Sequence, residues 1–201
     1  MSAPFKVIFA TRNEHKLREV RAIFTQTPIL PVSMAEAGID LDVVEDGATF
    51  HDNAVKKCVA IAAAADRPVM SDDSGLEIDF LDKGPGVYSA RFLGESTPYD
   101  IKNAEILKIL RDVPWQQRTA RYVCVIAFAR PGEKPVTTRG TLEGFIAWEA
   151  RGSGGFGYDP VFFLPEYNRT VAEIPPEAKN RISHRAVALS LMKEKLLEIN
   201  V

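Results

Sequence analysis

No stretch of this chain is long and apolar enough to cross a membrane. The first apolar run, Val7 to Ala10, is short and soon followed by charged residues, so no signal peptide is expected. Cysteine is scarce: Cys58 and Cys124 are the only two among 201 residues, with no Cys-x-x-Cys spacing. Both fall in apolar patterns and are read as buried reduced thiols, in keeping with a cytoplasmic protein. Charge of one sign is also missing, since 25 Lys and Arg against 27 Asp and Glu leave a net −2. That balance gives no sign of a nucleic-acid or membrane-surface partner, so any phosphate binding must be local. Internal repeats, low-complexity linkers and the G-x-x-x-x-G-K-[ST] phosphate loop are absent as well. What remains is ordinary globular composition, 46% hydrophobic and 26% charged, enough for one domain or two packed lobes.

Along the chain, the run from Lys6 to Ala10 reads as a strand, Thr11-Arg12-Asn13 as a polar turn, and Leu17, Val20, Ile23 and Phe24 as the apolar side of a helix. Ile29 to Val44 predicts loop with one or two strands. Thr49 to Ala65 is the clearest helix, with Thr49 and Asp52 spaced as a capping box and Phe50, Ala54, Cys58, Ile61 and Ala65 as its buried stripe. Val69 to Ser71 predicts a short strand that stops at an acidic turn, Asp72-Asp73-Ser74-Gly75. A second strand, facing water on one side, is expected over Leu76 to Phe80. A helix from about Asp100 to Arg111, a strand from Arg121 to Ala129 and a meander through Val136 to Gly140 and Phe145-Ile146 follow. Val161 to Phe163 reads as a short buried strand, Pro175-Pro176 as the start of a helical turn, and Ser183 as the cap of a last helix ending near Glu198. Early alternation and a late meander predict an α/β fold with a mixed sheet.

Five clusters carry chemistry. Adjacent Asp72 and Asp73 repel each other, and successive strand residues face opposite sides, so the two carboxylates are expected to have different partners. A plain acidic turn is an equal reading of that run alone. Lys16 sits in the first turn of a helix, where a cation is unfavourable unless an anion is near, and the turn Thr11 to Lys16 offers helix N–H groups to phosphate. Asn53 and Lys57 lie four apart on one helix face, with Glu45 just upstream, a set that suits a phosphate and a hard cation. Gly152 to Gly157 contains G-x-G-x-x-G, but a strand start follows rather than a helix, so it is no dinucleotide fingerprint. Its glycines instead allow backbone to approach a flat ligand, with Phe156 either a stacking face or ordinary core. His184 and Arg185 place donors at the start of the last helix.

Taken in order, six motifs resemble the inosine/xanthosine triphosphate pyrophosphatase family, the RdgB-type nucleotide hydrolases. They are Thr11-x-Asn13-x-x-Lys16-x-x-Glu19, Glu45-x-Gly47-x-Thr49-Phe50-x-x-Asn53-Ala54-x-x-Lys57, Asp72-Asp73-Ser74-Gly75-Leu76, Pro85-Gly86-x-Tyr88-Ser89-Ala90-Arg91, Gly154-Gly155-Phe156-Gly157-Tyr158-Asp159-Pro160 and Lys179-Asn180-x-x-Ser183-His184-Arg185. The resemblance implies one domain over 1–201, an elongated mixed α/β sheet in two lobes around a nucleotide cleft, and a homodimer. It implies Mg²⁺-dependent cleavage of non-standard purine triphosphates (ITP, dITP, XTP) to monophosphate and pyrophosphate. In this family's pattern Asp73 is the general base and, with Glu45, holds the metal, while Lys57 completes the catalytic set. Thr11, Arg12, Asn13, Glu14, His15, Lys16, Asn53 and Ser74 are implied at phosphate or sugar. Phe156, Gly157, Tyr158, Asp159, Lys179, His184 and Arg185 are implied around the base. Arg12 stands where the family commonly has a small residue, and Ala178 where an acid often precedes the lysine. The alternatives are a Maf-type pyrophosphatase of other specificity, against which Ser183-His184-Arg185 argues, and a nucleotide sensor without turnover, against which Glu45, Lys57 and Asp73 argue.

Overall fold

The computed structural model describes residues 3–199. The chain runs β1 (Phe5–Phe9), α1 (Glu14–Phe24), β2 (Ile29–Ser33), α2 (Phe50–Ala65), β3 (Val69–Ile78), α3 (Tyr99–Ile109), β4 (Thr119–Ala129) and β5 (Val136–Ile146). It ends with β6 (Phe162–Leu164), β7 (Arg169–Thr170), α4 (Pro176–Ile182) and α5 (His184–Glu198). The strands form a mixed sheet in the order β2-β1-β3-β4-β5-β6-β7. β1 runs parallel to β2 and β3, whereas β5–β6 and β6–β7 are antiparallel. The α/β fold with a mixed sheet is therefore as the sequence predicts.

Local chemistry explains where the elements begin. Asn13 caps α1, its Oδ1 accepting from the N–H groups of His15 and Lys16 at 2.9 and 3.3 Å. Leu17, Val20 and Phe24 then recur at helical spacing and are buried. Thr49 caps α2 by accepting from Asp52 N–H at 3.1 Å, and the helix ends at Asp66 in the left-handed region. β4 is the middle strand of the seven, and its residues from Tyr122 to Ala129 are all buried, as a strand covered on both faces requires.

Two compact units divide the chain. The first comprises residues 1–73, 124–140 and 184–201. Its core is aliphatic and aromatic: Val7, Phe9, Leu17, Val20, Phe24, Met70, Ile126, Phe128, Leu189, Met192 and Leu196. Both cysteines lie buried in this unit as free thiols, and burial pushes each thiol up to about 12.

The second unit comprises residues 74–123 and 141–183. Its core joins Leu76, Ile78, Ile106, Leu110, Ile146, Val161 and Phe162. Trp115 stacks on Phe145 with centroids 4.8 Å apart. Arg118 is buried, donating to the carbonyls of Ile146 at 2.8 Å, Ala147 at 2.6 Å and Leu110. Trp148 covers its guanidinium at 4.3 Å.

Three expectations are corrected. Asp72 to Gly75 is not a turn: β3 runs unbroken from Val69 to Ile78, because each carboxylate meets cations or donors that outweigh its poor strand propensity. Phe80 is not in that strand but in a 3₁₀ turn, Asp79–Leu81, and is exposed. Likewise the meander has one long strand, β5, where the sequence suggests two pieces.

Candidate active site

In the first unit, three segments bring charge together. The loop before α2 carries Glu45, α2 carries Asn53 and Lys57, and β3 carries Asp72 and Asp73. Lys57 sits among them. Its Nζ is 2.5 Å from Glu45 Oε1 and donates to the Asp72 carbonyl at 2.7 Å. Asn53 is fully buried and spans two partners: Nδ2 donates to Asp73 Oδ2 at 2.9 Å, and Oδ1 accepts from Gly47 N–H at 2.7 Å. Gly47 must lack a side chain, because a Cβ there would come within 2.7 Å of that Oδ1.

The two aspartates separate as their strand positions require. Asp72 has no exposed surface, and its Oδ2 lies 2.8 Å from Lys16 Nζ and 3.4 Å from Arg185 Nε. Arg185, equally buried, also pairs with Glu19 Oε2 at 2.6 Å. Burial alone would raise the Asp72 pKa, but Lys16, Arg185 and Lys57 outweigh it and hold the carboxyl well below the usual range. Desolvation would lower the Lys57 pKa, but Asp72, Glu45 and Asp73 outweigh it and raise the pKa. Asp73 goes the other way. Burial pushes it up to about 6, the Asn53 hydrogen bond opposes this, and Glu45 adds to it. A carboxylate raised by burial and by a neighbouring acid is a group poised to take a proton or a cation.

The second unit holds a different cluster. Asp159, 4% exposed, accepts from Tyr122 Oη at 3.1 Å through Oδ1. Its Oδ2 accepts from Phe156 N–H at 2.9 Å and Lys179 Nζ at 2.6 Å. The Lys179 ammonium lies 4.4 Å from the Phe156 ring centre, a cation on an aromatic face. The glycine loop is shaped for this: Gly155 has φ +71°, and a Cβ there would run into the Asp159 carboxylate. Tyr158 is buried with its hydroxyl donated to the Ser89 carbonyl at 2.7 Å, and the Gly157 carbonyl accepts from Asn103 at 3.1 Å.

Residues expected at one nucleotide thus fall into two groups. Lys16, Glu45, Asn53, Lys57, Asp73, His184 and Arg185 belong to the first unit, and Ser74, Phe156, Gly157, Tyr158, Asp159 and Lys179 to the second. Thr11 and Asn13 build the start of α1, Thr11 Oγ1 accepting from Asn13 N–H at 3.1 Å. Asn13 already takes the N–H groups of His15 and Lys16, so the α1 turn offers an anion the Lys16 side chain more than those backbone donors. Glu14 is exposed in the first turn of α1, His15 Nδ1 lies 2.9 Å from Arg18, and Arg12 pairs with Asp40 at the surface. Arg185, expected around a base, pairs here with Glu19 and Asp72, as a guanidinium this deeply buried needs carboxylates around it. Sequence reasoning leaves out the roles of Glu19 and Tyr122. Glu19 carries a signal, standing three residues after Lys16 on one helix face. Tyr122 carries none, since an aromatic inside a β-prone run reads as core.

The model of the Ham1 family matches residues 7–195. A protein of Geobacter sulfurreducens named dITP/XTP pyrophosphatase is 47% identical over 191 residues, covering 95% of this chain and 96% of that protein. A dITP/XTP pyrophosphatase of Geobacillus kaustophilus is 46% identical over 195 residues, 96% of this chain and 95% of that one. Among solved structures, a HAM1 protein from Coxiella burnetii matches with TM-score 0.89 at 36% identity, covering 96% of this chain and 99% of that one. The Staphylococcus aureus Ham1 protein gives 0.88 at 35%, with 97% and 100% covered. Together with the ordered motifs and the mixed sheet, these likenesses establish that the chain belongs to the Ham1 family.

Proposed function

We propose that this chain is a nucleoside triphosphate pyrophosphatase that cleaves dITP, ITP and XTP to the monophosphate and pyrophosphate. The observation that carries the reading is the cluster in which Lys16, Lys57 and Arg185 meet Asp72 while Asp73 is kept apart, bonded to Asn53. A water attacks one phosphorus of the α–β anhydride, the bond from that phosphorus to the bridging oxygen breaks, the water's proton passes to Asp73, and the electron pair stays on the bridging oxygen of the departing fragment. Lys57 and Lys16 stabilise charge on the leaving group. Thr11, Arg12, Asn13, Glu14, His15, Asn53 and Ser74 are proposed to line phosphate or sugar.

Glu45 and Asp73 suit Mg²⁺, an ion held by one or two carboxylates plus substrate phosphates. Their mutual repulsion, which helps raise Asp73, is what a shared cation relieves. Once bound there, Mg²⁺ would screen the triphosphate and make a bound water more acidic. Phe156, Gly157, Tyr158, Asp159, Lys179, His184 and Arg185 are proposed to surround the base, with Phe156 as its stacking face. Donors there favour the acceptor O6 of hypoxanthine and xanthine over the amino group of adenine.

A cytoplasmic homodimer is proposed. Its support is that no helix among the described residues is long and apolar enough to cross a membrane, that both thiols are free, and that Tyr88 and Leu93 leave apolar surface exposed. The family match runs through both units, which supports one catalytic domain over 1–201. No nucleic-acid or membrane partner is proposed. The test is pyrophosphate release across a nucleotide panel with Mg²⁺ and with a chelator. ITP, dITP and XTP should be cleaved and ATP spared, with activity lost in chelator and restored by Mg²⁺. Equal turnover of ATP and ITP, or release of orthophosphate alone, would sink the reading.

A further inference from the structure

We propose that Tyr122 is a positioning residue for nucleotide-base selection, acting through Asp159. The proposal rests on the base-binding role given above to Phe156, Asp159 and Lys179.

Tyr122 lies in β4 with its ring stacked on Phe162, centroids 4.4 Å apart at 26°. A phenylalanine would satisfy that packing equally well. The hydroxyl is therefore not needed to fill the core, and a buried hydroxyl requires a partner. Its partner is Asp159 Oδ1 at 3.1 Å. The two oxygens of Asp159 are used differently: Oδ1 takes the tyrosine, and Oδ2 takes both the Phe156 N–H and the Lys179 ammonium.

That division fixes the rotation of the carboxylate. A carboxyl group turns readily about its last side-chain bond, because that torsion has broad minima. A donor on each oxygen removes the freedom. With Oδ1 occupied, Oδ2 stays where Lys179 can bond to it while remaining 4.4 Å above the Phe156 ring. The Phe156 N–H anchors the same oxygen from the loop side. Tyr122 thus sets where the positive charge sits relative to the aromatic face without itself lying on that face. Both Tyr122 and Asp159 are buried, at 7% and 4% exposure, so water does not readily replace the lost donor.

Tyr122→Phe keeps the ring and removes only the hydroxyl. The expected result is a rise of about tenfold in KM for ITP with kcat changed less than twofold, and a smaller ITP-over-ATP ratio of kcat/KM. Asp159→Leu, which removes both acceptor oxygens, provides the second arm. If Tyr122 acts through Asp159, adding Tyr122→Phe to Asp159→Leu should change KM little further, so the two effects are strongly non-additive. An undiminished KM effect of Tyr122→Phe in the Asp159→Leu background overturns the proposal, as does an unchanged KM for Tyr122→Phe alone. The underlying reading fails separately: if Asp159→Leu and Lys179→Met both leave nucleotide preference untouched, this cluster does not select the base, and the role of Tyr122 falls with it. Loss of thermal stability in Tyr122→Phe with KM and selectivity unmoved would mark the hydroxyl as structural and likewise overturn the proposal.

Discussion

The two units hold their charged side chains in opposite ways. In the first, four acids (Glu19, Glu45, Asp72, Asp73) are interleaved with three bases (Lys16, Lys57, Arg185), and the acids do not all titrate alike. At the glycine loop of the second, a buried acid, Asp159, is matched by a base, Lys179, beside an aromatic ring. A network with one acid driven down and its neighbour driven up suits a ligand whose charge changes during reaction. A neutralised pair on a ring suits a ligand recognised by shape and a few donors. The difference fits the proposed roles, bond breaking in the first unit and recognition in the second.

The sharpest way to break that division is Asp73→Asn. It should lower kcat by roughly 10²–10⁴-fold while KM and thermal unfolding change little, measured by steady-state kinetics and calorimetry. A near-normal kcat would remove Asp73 as the base and leave the first unit without an assigned proton acceptor. Arg185→Met comes next. It strands Glu19 and Asp72 in the interior and should cost about 3–5 kcal/mol in urea unfolding. A stable variant would mean that Lys16 alone compensates Asp72. In the second unit, Lys179→Met should raise KM for ITP by roughly tenfold and leave kcat within a few-fold, the mirror image of Asp73→Asn. Arg12→Ala should be the smallest effect. Its pair with Asp40 is exposed on both sides, so the melting temperature should move by no more than about one degree.

The sequence reaches different depths in the two regions. The α2 face is legible, because Asn53 and Lys57 four residues apart must share a side, and in the structure they meet Asp73, Asp72 and Glu45. The opposite partners of Asp72 and Asp73 follow from strand alternation. What alternation cannot supply is the unbroken course of β3. Local propensity reads Asp-Asp-Ser-Gly as a turn, and the partners that overrule it, Lys16, Asn53 and Arg185, lie outside that run, Arg185 as far as 113 residues from Asp72. The Arg185–Glu19 pair spans 166 residues and has no local trace. Tyr122 is hidden for another reason: its ring is ordinary core, and only the position of its hydroxyl next to Asp159 distinguishes it from phenylalanine.

Asn53 ties the strand of one carboxylate to the loop of another. Its amide hydrogen bonds point in one direction, donor toward Asp73 and acceptor toward Gly47, two residues after Glu45. The loop that brings Glu45 and the strand that brings Asp73 are thereby geared together, so neither can drift without turning the shared amide. An acid in its place would set carboxylate against carboxylate, and a methyl at Gly47 would jam the gear from the loop side, 2.7 Å from the amide oxygen. Synchrony between the two proposed metal ligands therefore depends on two uncharged residues, one a lone amide and the other a missing side chain.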